Sequence, residues 1–241
     1  MTRASGPTPE SWDEATDIRR FWWLVPPVTF AILTAVVLSV AGALRTTNGS
    51  KQAREEVHEE VRVGERPRVQ IENIGGDVIV QADADGIVRV SVQRFGIGAS
   101  EGAAATNLLA LRLNVTPTAQ GVTIRVFEDP PLGIAGGTRA IITVTVPRLA
   151  VVDVHTQSGL VHVVGVDGGI TARSDNGNLD IEVDDDPGFL LTAAGPRLTT
   201  DFDMIPEPGS SARSIKARVG QNPERSLLLS SSGTILLRRS Q

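Results

Sequence analysis

Residues 151–183 read VVDVHTQSGLVHVVGVDGGITARSDNGNLDIEV, and this stretch decides the fold class. Apolar and polar side chains alternate along it, as is typical of strands that bury one face. Two similar turns interrupt the alternation, Gln157-Ser158-Gly159 and Asp175-Asn176-Gly177, and they lie 18 residues apart. Polar residues followed by glycine favour tight turns. The stretch therefore predicts a repeated strand–turn–strand unit of about 20 residues.

Similar turns lie on both sides of this stretch. Ser231-Ser232-Gly233 precedes an alternating strand near the C terminus, and Asn73-Ile74-Gly75-Gly76 is a looser copy. Such a repeat predicts an all-β domain of the β-solenoid type, a single-stranded β-helix in which each unit packs on the next. A β-sandwich whose turns are alike by chance is the alternative. In a solenoid we expect the glycines of the three closest turns to adopt positive φ, namely Gly159, Gly177 and Gly233.

The remainder of the C-terminal part continues the strand pattern with two interruptions. Residues 100–111 are rich in alanine and leucine and predict a short helix, and residues 184–222 contain no clean repeat, so the number of units stays open. Period-two alternation predicts further strands at six places, 68–73, 77–82, 87–94, 111–118, 121–128 and 138–146.

The N-terminal part contains a long apolar segment. Residues 21–44 carry no charge and are long enough to cross a bilayer as a helix, which needs about 20 apolar residues. We expect an uncleaved anchor, with a signal peptide cleaved after Ala43 as the alternative. Arg19-Arg20 directly precede the segment and favour a cytoplasmic N terminus with the C-terminal domain outside.

These boundaries divide the chain into four parts. Residues 1–20 are expected to form a disordered cytoplasmic tail, residues 21–44 the transmembrane anchor, and residues 45–66 a juxtamembrane linker. The charged half of that linker, KQAREEVHEEVRVGER, fits either a short helix or a lead-in strand. Residues 67–241 then form the extracytoplasmic β-repeat domain.

Composition excludes several classes of function. The formal net charge is −5 without a basic cluster, so nothing indicates nucleic-acid binding. The chain has no cysteine, which excludes disulfides, thiolate zinc sites and cysteine nucleophiles. Tyrosine is absent and all three tryptophans lie within the first 23 residues, so the aromatic platforms of sugar-binding sites are missing from the β domain.

The turns with "nG" or "sG" before a short alternating strand resemble a known family. Three pieces carry the likeness, QIENIGGDVIVQADADGIVRVSVQR, VVDVHTQSGLVHVVGVDGGITARSDNGNLDIEV and LLLSSSGTILLRR. They are similar to the bacterial putative-adhesin domain of unknown function, also called the toast-rack domain, over roughly residues 57–239. The resemblance implies a β-solenoid-like fold beside a membrane segment in an envelope or membrane-stress protein. The family has no established catalytic residues, so none is transferred.

Three groups of polar residues are candidate sites. His155 and His162 flank one turn and could face each other across it, with Asp153 or Asp167 as the nearest third metal ligand. The run Asp184-Asp185-Asp186 offers oxygen ligands but lacks the spacing of calcium loops. Asp201 and Asp203 would point the same way on a strand, as paired carboxylates of glycosidases do. Simpler structural roles are preferred for all of them, so we expect no catalytic, cofactor-binding or metal-binding residues.

The sequence therefore indicates a non-catalytic envelope protein. The anchor at residues 21–44 contacts the lipid bilayer, and the β-solenoid domain binds an unknown envelope protein or polymer as an adhesin-like module or scaffold. Two alternatives remain: an envelope-stress sensor that signals through the N-terminal tail, and, ranked below it, an envelope carbohydrate-active enzyme.

Overall fold

The computed structural model describes residues 50–84, 86–129, 137–184, 188–211, 213–221 and 223–240. No helix in this part of the chain is long and apolar enough to cross a bilayer. The predictions made for the tail at residues 1–20, for the anchor at residues 21–44 and for cleavage after Ala43 lie outside the described residues.

The fold is all-β, as predicted, and is built from six strand–turn–strand units that we call rungs. In each rung the first strand belongs to a nine-stranded sheet, sheet II, and the second to an eight-stranded sheet, sheet I. Rungs 1 to 6 are β2 (Arg68–Asn73) with β3 (Val78–Asp83), β6 (Gly121–Glu128) with β7 (Thr138–Pro147), β8 (Val151–Ser158) with β9 (Val161–Val164), β10 (Ile170–Asn176) with β11 (Leu179–Val183), β12 (Gly188–Ala194) with β13 (Arg197–Thr200), and β16 (Pro223–Ser231) with β17 (Thr234–Arg239).

All six rungs stack in parallel, but not in chain order. Sheet II runs β6, β2, β8, β10, β16, β12, so the rungs lie in the order 2, 1, 3, 4, 6, 5. Sheet I repeats this order with β7, β3, β9, β11, β17, β13. The expectation that each unit packs on the next along the chain is therefore wrong at two places: rung 1 lies between rungs 2 and 3, and rung 6 lies between rungs 4 and 5.

Antiparallel strands flank the stack. Beyond rung 2, β4 (Ile87–Gly98) and β1 (Lys51–Arg62) extend sheet I, and β5 (Leu111–Thr118) extends sheet II. Beyond rung 5, β15 (Ser214–Val219) and β14 (Ile205–Pro206) extend sheet II. Rung 5 and these two strands occupy the segment 184–222. The segment shows no clean repeat in the sequence because the antiparallel strands β14 and β15 follow rung 5 before the next rung begins.

The charged stretch placed in the linker is a strand. β1 pairs with β4 along its whole length, from Lys51 opposite Gly98 to Arg62 opposite Ile87. Of the two alternatives, helix or lead-in strand, the strand is the one observed. Val57 pairs with the buried Val92, and on the same face Glu59 pairs with the buried Val90. Residues 51–62 thus form part of sheet I.

The core lies between the two sheets. Inward-facing valine, isoleucine and leucine side chains of both sheets form one apolar cluster. Phe189 is the bulkiest fully buried side chain, and its ring meets Phe202 edge to face with centroids 5.2 Å apart. The layering is that of a sandwich, while the parallel, in-register rungs make it solenoid-like.

One helix packs across β4. α1 (Glu101–Ala110) confirms the helix predicted at residues 100–111, and the Ser100 side chain caps it by accepting a hydrogen bond from the Ala103 amide at 3.2 Å. A β-carbon on Gly98 would lie 2.6 Å from the Ala104 nitrogen, so this glycine lets the helix approach the strand closely.

The turn glycines form a column at one end of the rungs. A β-carbon on Gly159 would collide with the carbonyl of Gly76, one on Gly177 with the carbonyl of Gly159, and one on Gly233 with the carbonyl of Gly177. Positive φ occurs at Gly159 but not at Gly177 or Gly233. The expectation of positive φ is therefore wrong at the latter two, where glycine is needed because neighbouring turns approach backbone to backbone.

A polar ladder lies just before this glycine column. Asn73, Thr156, Ser174 and Ser231 occupy one register across four parallel strands, and all are buried. Their side chains satisfy turn carbonyls of neighbouring rungs: Ser174 Oγ donates to Gly159 O at 3.1 Å, and Ser231 Oγ donates to Gly177 O at 2.5 Å. Burying these carbonyls without partners would be costly, so the ladder fixes the register of the rungs.

Candidate functional site

An open groove of about 770 Å³ lies at the opposite end of the rungs from the glycine column. It is formed at the connections β7–β8, β9–β10 and β11–β12, where strands of sheet I return to sheet II, and at the connection β15–β16 within sheet II. Its polar lining includes Arg66, Arg148, Asp167, Asp184 and Glu224. No single repeat unit contains these residues; the stacking of rungs brings them together.

Two arginines share the carboxylates beside the groove. Arg148 donates from Nε to Asp167 at 2.8 Å and from Nη2 to Asp184 at 3.3 Å. Arg225 approaches the other oxygen of Asp167 at 3.6 Å. The hydrogen bond to Asp167, more than any other contact, raises the pKa of the Arg148 guanidinium above its usual value. Asp167 thus lies between two guanidinium groups, and Asp184 contacts one of them through its carboxylate.

Arg225 is the buried member of this network. Its side chain is 3% exposed, and it donates to the carbonyls of Val166 at 3.1 Å and of Asp184. Burial lowers the pKa of Arg225, opposed by the charges of Asp167 and Asp184. β16 is inserted between β10 and β12. The Arg225 guanidinium joins this strand to the β9–β10 connection through Val166 and Asp167, and to the β11–β12 connection through Asp184.

A β-bulge places Glu224 in the groove. The pairing of β12 with β16 runs Gly188 to Pro223 and then Phe189 to Arg225, so Glu224 is skipped and exposed. Bulges commonly redirect a side chain at a functional edge. Here the bulge turns Arg225 inward over the Phe189 ring, at 5.7 Å from its centroid, and leaves a carboxylate outside.

One wall of the groove is apolar and exposed. Leu149, Val151 and Leu190 are 42%, 42% and 45% exposed. Together with the charged lining they give the groove a mixed apolar and charged surface.

A second cluster lies on the outer face of sheet I. His162 of β9 and Asp180 and Glu182 of β11 offer ligand atoms within 4.8 Å of one another. Arg238 of β17 already binds both carboxylates, at 2.6 Å for Asp180 and 2.8 Å for Glu182. These contacts raise the Arg238 pKa, chiefly through the Asp180 hydrogen bond. Since the arginine occupies the carboxylate oxygens that a metal ion would need, the cluster is better described as an ion-pair network centred on Arg238.

The structure separates the two histidines that were expected to face each other. His155 lies on the outer face of sheet II and contacts Asp175 at 3.1 Å, whereas His162 lies on the outer face of sheet I and contacts Asp180 at 3.4 Å. The alternation that puts both histidines outward in their strands puts them on opposite sides of the domain. The contacts with Arg173 and His155 lower the pKa of Asp175.

The other candidate carboxylates are also dispersed. Asp153 pairs loosely with Arg68 at 3.6 Å, and Asp167 lies in the groove network. Asp201 and Asp203 are not on a strand but in the bend after β13, with the buried Phe202 between them. Of the acidic run only Asp184 is described, as a partner of Arg148; Asp185 and Asp186 lie outside the described residues.

Sequence reasoning missed Arg148, Arg225 and the Asp180–Glu182 pair. The 18-residue repeat could have indicated the cluster that contains Asp180 and Glu182. Residues one repeat apart lie side by side on neighbouring strands, as His162 and Asp180 do. Arg225 offered no such signal, since it lies just after the stretch without a visible repeat and before the repeated turn at Ser231-Ser232-Gly233.

No protein-family model matches this chain, and no curated protein matches it. Solved structures do resemble it. A "putative cell adhesion protein" from Clostridium sporogenes superposes with a TM-score of 0.50 at 7% identity, covering 78% of this chain and all of the other. A "putative adhesin" from Bacteroides fragilis gives a TM-score of 0.26 at 15% identity, covering 76% of this chain and 96% of its own. One from Parabacteroides distasonis gives 0.23 at 8% identity, covering 67% and 59%. The first likeness shows a shared fold.

Proposed function

We propose that this chain is a non-catalytic, membrane-anchored envelope protein whose solenoid-like domain makes adhesin-like contacts through the groove. The apolar run at residues 21–44 supports the anchor. The fold shared with a protein named for cell adhesion supports the class of function. Neither identifies the partner, which we take to be a protein or polymer of the envelope.

The observation that carries the proposal is the direction of β1. Lys51 lies beside Gly98 at the glycine-column end, and Arg62 lies beside Ile87 at the groove end. Twelve residues of strand span about 40 Å at about 3.4 Å per residue. An anchor at residues 21–44 would precede β1 in the chain and so would be connected to the domain through Lys51, while the groove lies at the other end of β1.

Photo-crosslinking from the groove tests this proposal. A photoreactive residue in place of Glu224, exposed at the bulge, is expected to form adducts with envelope components in living cells. The matched control replaces Gln81, which is exposed on the outer face of sheet I. Equal adduct yields from both positions, or none from Glu224, would contradict a contact site at the groove.

A further inference from the structure

The outer face of sheet II carries a patch that we call the β16 face, and it overlaps the groove lining at Leu190, Ser226 and Gly169. It centres on β16 and extends to its neighbours β12 and β10, with Leu190 and Leu228 exposed by 45% and 46%. Its members are Leu190, Thr192, Ser226, Leu228, Gly169 and Thr171, none of which is charged. The next row along the strands adds the exposed Arg173 of β10, beside Ser230.

One row across this face is symmetric about its centre. In register from β15 to β8 the side chains are Lys216, Thr192, Leu228, Thr171 and Asp153. A two-fold axis along β16 would place Leu228 of one copy of the chain opposite Leu228 of a second copy, and Thr192 of each copy opposite Thr171 of the other. The same axis would place Lys216 of each copy opposite Asp153 of the other, so the row contains no like-charge contact.

The three central positions of the next row fit the same axis by shape, while its ends bring Arg218 of one copy opposite Val151 of the other. Leu190, Ser226 and Gly169 lie in register on β12, on β16 and just before β10. The two-fold axis brings Ser226 onto Ser226 and places the exposed Leu190 side chain over Gly169. A β-carbon on Gly169 would find its nearest neighbour at 3.6 Å, so the surface there is a shallow depression rather than a tight contact. A projecting leucine opposite a glycine is complementary.

We infer that the β16 face binds a second copy of this chain, around a two-fold axis parallel to β16. An axis parallel to the strands leaves Lys51 of both copies at the same end, so both can be anchored in one bilayer. It also joins the two grooves side by side at the far end. The inference rests on the proposed function and adds to it a partner for this surface.

The size of the contact predicts a weak dimer. Five strands about 4.8 Å apart and about 17 Å of strand length give roughly 400 Å² per copy, or about 800 Å² in total. Stable interfaces usually bury about 1,200 Å² or more. A dimer of this size is expected to form mainly where a membrane holds the copies at high local concentration.

The absence of cysteine makes the test direct. The full chain in liposomes, with Leu228→Cys as its only cysteine, is treated with a bismaleimide that has a two-carbon spacer. Sheets packed face to face lie about 10 Å apart, too far for a disulfide but within reach of this reagent. We expect a crosslinked dimer. Leu109→Cys on α1, although 71% exposed, is expected to give at least fivefold less.

A mixture of two variants tests the geometry. Lys216→Cys and Asp153→Cys chains are expected to crosslink when mixed and not when either is alone, because the axis brings these positions together only between the two. Leu228→Cys yields no higher than those of Leu109→Cys, or equal yields from the mixed and single samples, would overturn the inference. Photo-adducts from Glu224 with other envelope components would then still support the proposed function, so the two failures are distinguishable.

Discussion

A β-carbon on Gly177 would lie much closer than 3.0 Å to the carbonyl oxygen of Gly159 in the next rung. The two turns are separated by 18 residues in the chain and touch backbone to backbone in the stack. Gly177→Ala is therefore expected to lower the free energy of unfolding by about 1–3 kcal/mol, because the turns must separate. Chemical denaturation measures this effect.

The matched control is Gly102→Ala in α1. A β-carbon there meets nothing within 4 Å, so we expect no loss of stability, and even a small gain from helix propensity. Equal losses at both positions would show that the glycine column does not hold the turns together.

Two adjacent serines of β16 test the polar ladder. Ser231 is buried and bonded to the turn carbonyl of Gly177, whereas Ser230 points outward and is exposed. Ser231→Ala removes the hydroxyl that donates to Gly177 O and accepts from the Gly233 amide at 2.9 Å, and the loss of both hydrogen bonds is expected to cost about 1–2 kcal/mol. Ser230→Ala is expected to change stability by less than about 0.5 kcal/mol. Thermal or chemical unfolding of both variants checks the difference, and indistinguishable variants would contradict the ladder.

Much of this architecture could be predicted from sequence, for a physical reason. Inward and outward side chains alternate in each strand, and the turns need glycine, so strands and turns leave local patterns such as those of residues 151–183. The order of the rungs leaves none. Parallel rungs of similar shape can stack in several orders, and the contacts that select one, such as Arg225 with Val166 O, join residues far apart in the chain.

The groove was unpredictable for a related reason. Arg148 and Asp167 are 19 residues apart, and Arg225 follows 58 residues later, just after the segment where the repeat is interrupted. Charged residues between strands normally indicate solvent-exposed loops. Only the insertion of β16 between β10 and β12 buries one arginine among them.

These two arginines provide the next prediction. Arg225→Met removes the donor for two carbonyls and a partner of Asp167 in a nearly fully buried position, and we expect a loss of about 3 kcal/mol. Arg148→Met removes ion pairs from a side chain that is 54% exposed and should cost less than about 1 kcal/mol. Denaturant melts compare the two. A larger loss from Arg148→Met would contradict the assignment of Arg225 as the residue that holds β16.

The pH dependence of stability provides a prediction for β1. Burial raises the pKa of Glu59 above 4.5, so the folded state binds its proton more tightly than the unfolded state. The stability that protonated Glu59 contributes to the folded state is fully present below pH 4.5. It is lost as the pH rises through the raised pKa of Glu59. Glu59→Gln is therefore expected to raise the melting temperature at neutral pH, with a gain that disappears on acidification.

Glu60→Gln is the control for this measurement. Glu60 lies next along β1, points outward and contacts Arg89 at 3.5 Å. We expect no gain in melting temperature from its neutralisation. A stabilising effect of the same size at both positions would mean that net charge, and not the burial of Glu59, governs the pH dependence.

The proposed location of the domain, outside the membrane with the groove exposed, can be measured directly because the chain has no cysteine. A membrane-impermeant maleimide is added to spheroplasts that carry either Glu224→Cys in the groove or Ser5→Cys in the tail. We expect immediate labelling of Glu224→Cys, and labelling of Ser5→Cys only after detergent opens the membrane. Labelling of the tail in sealed spheroplasts, with protection of Glu224→Cys, would contradict this location.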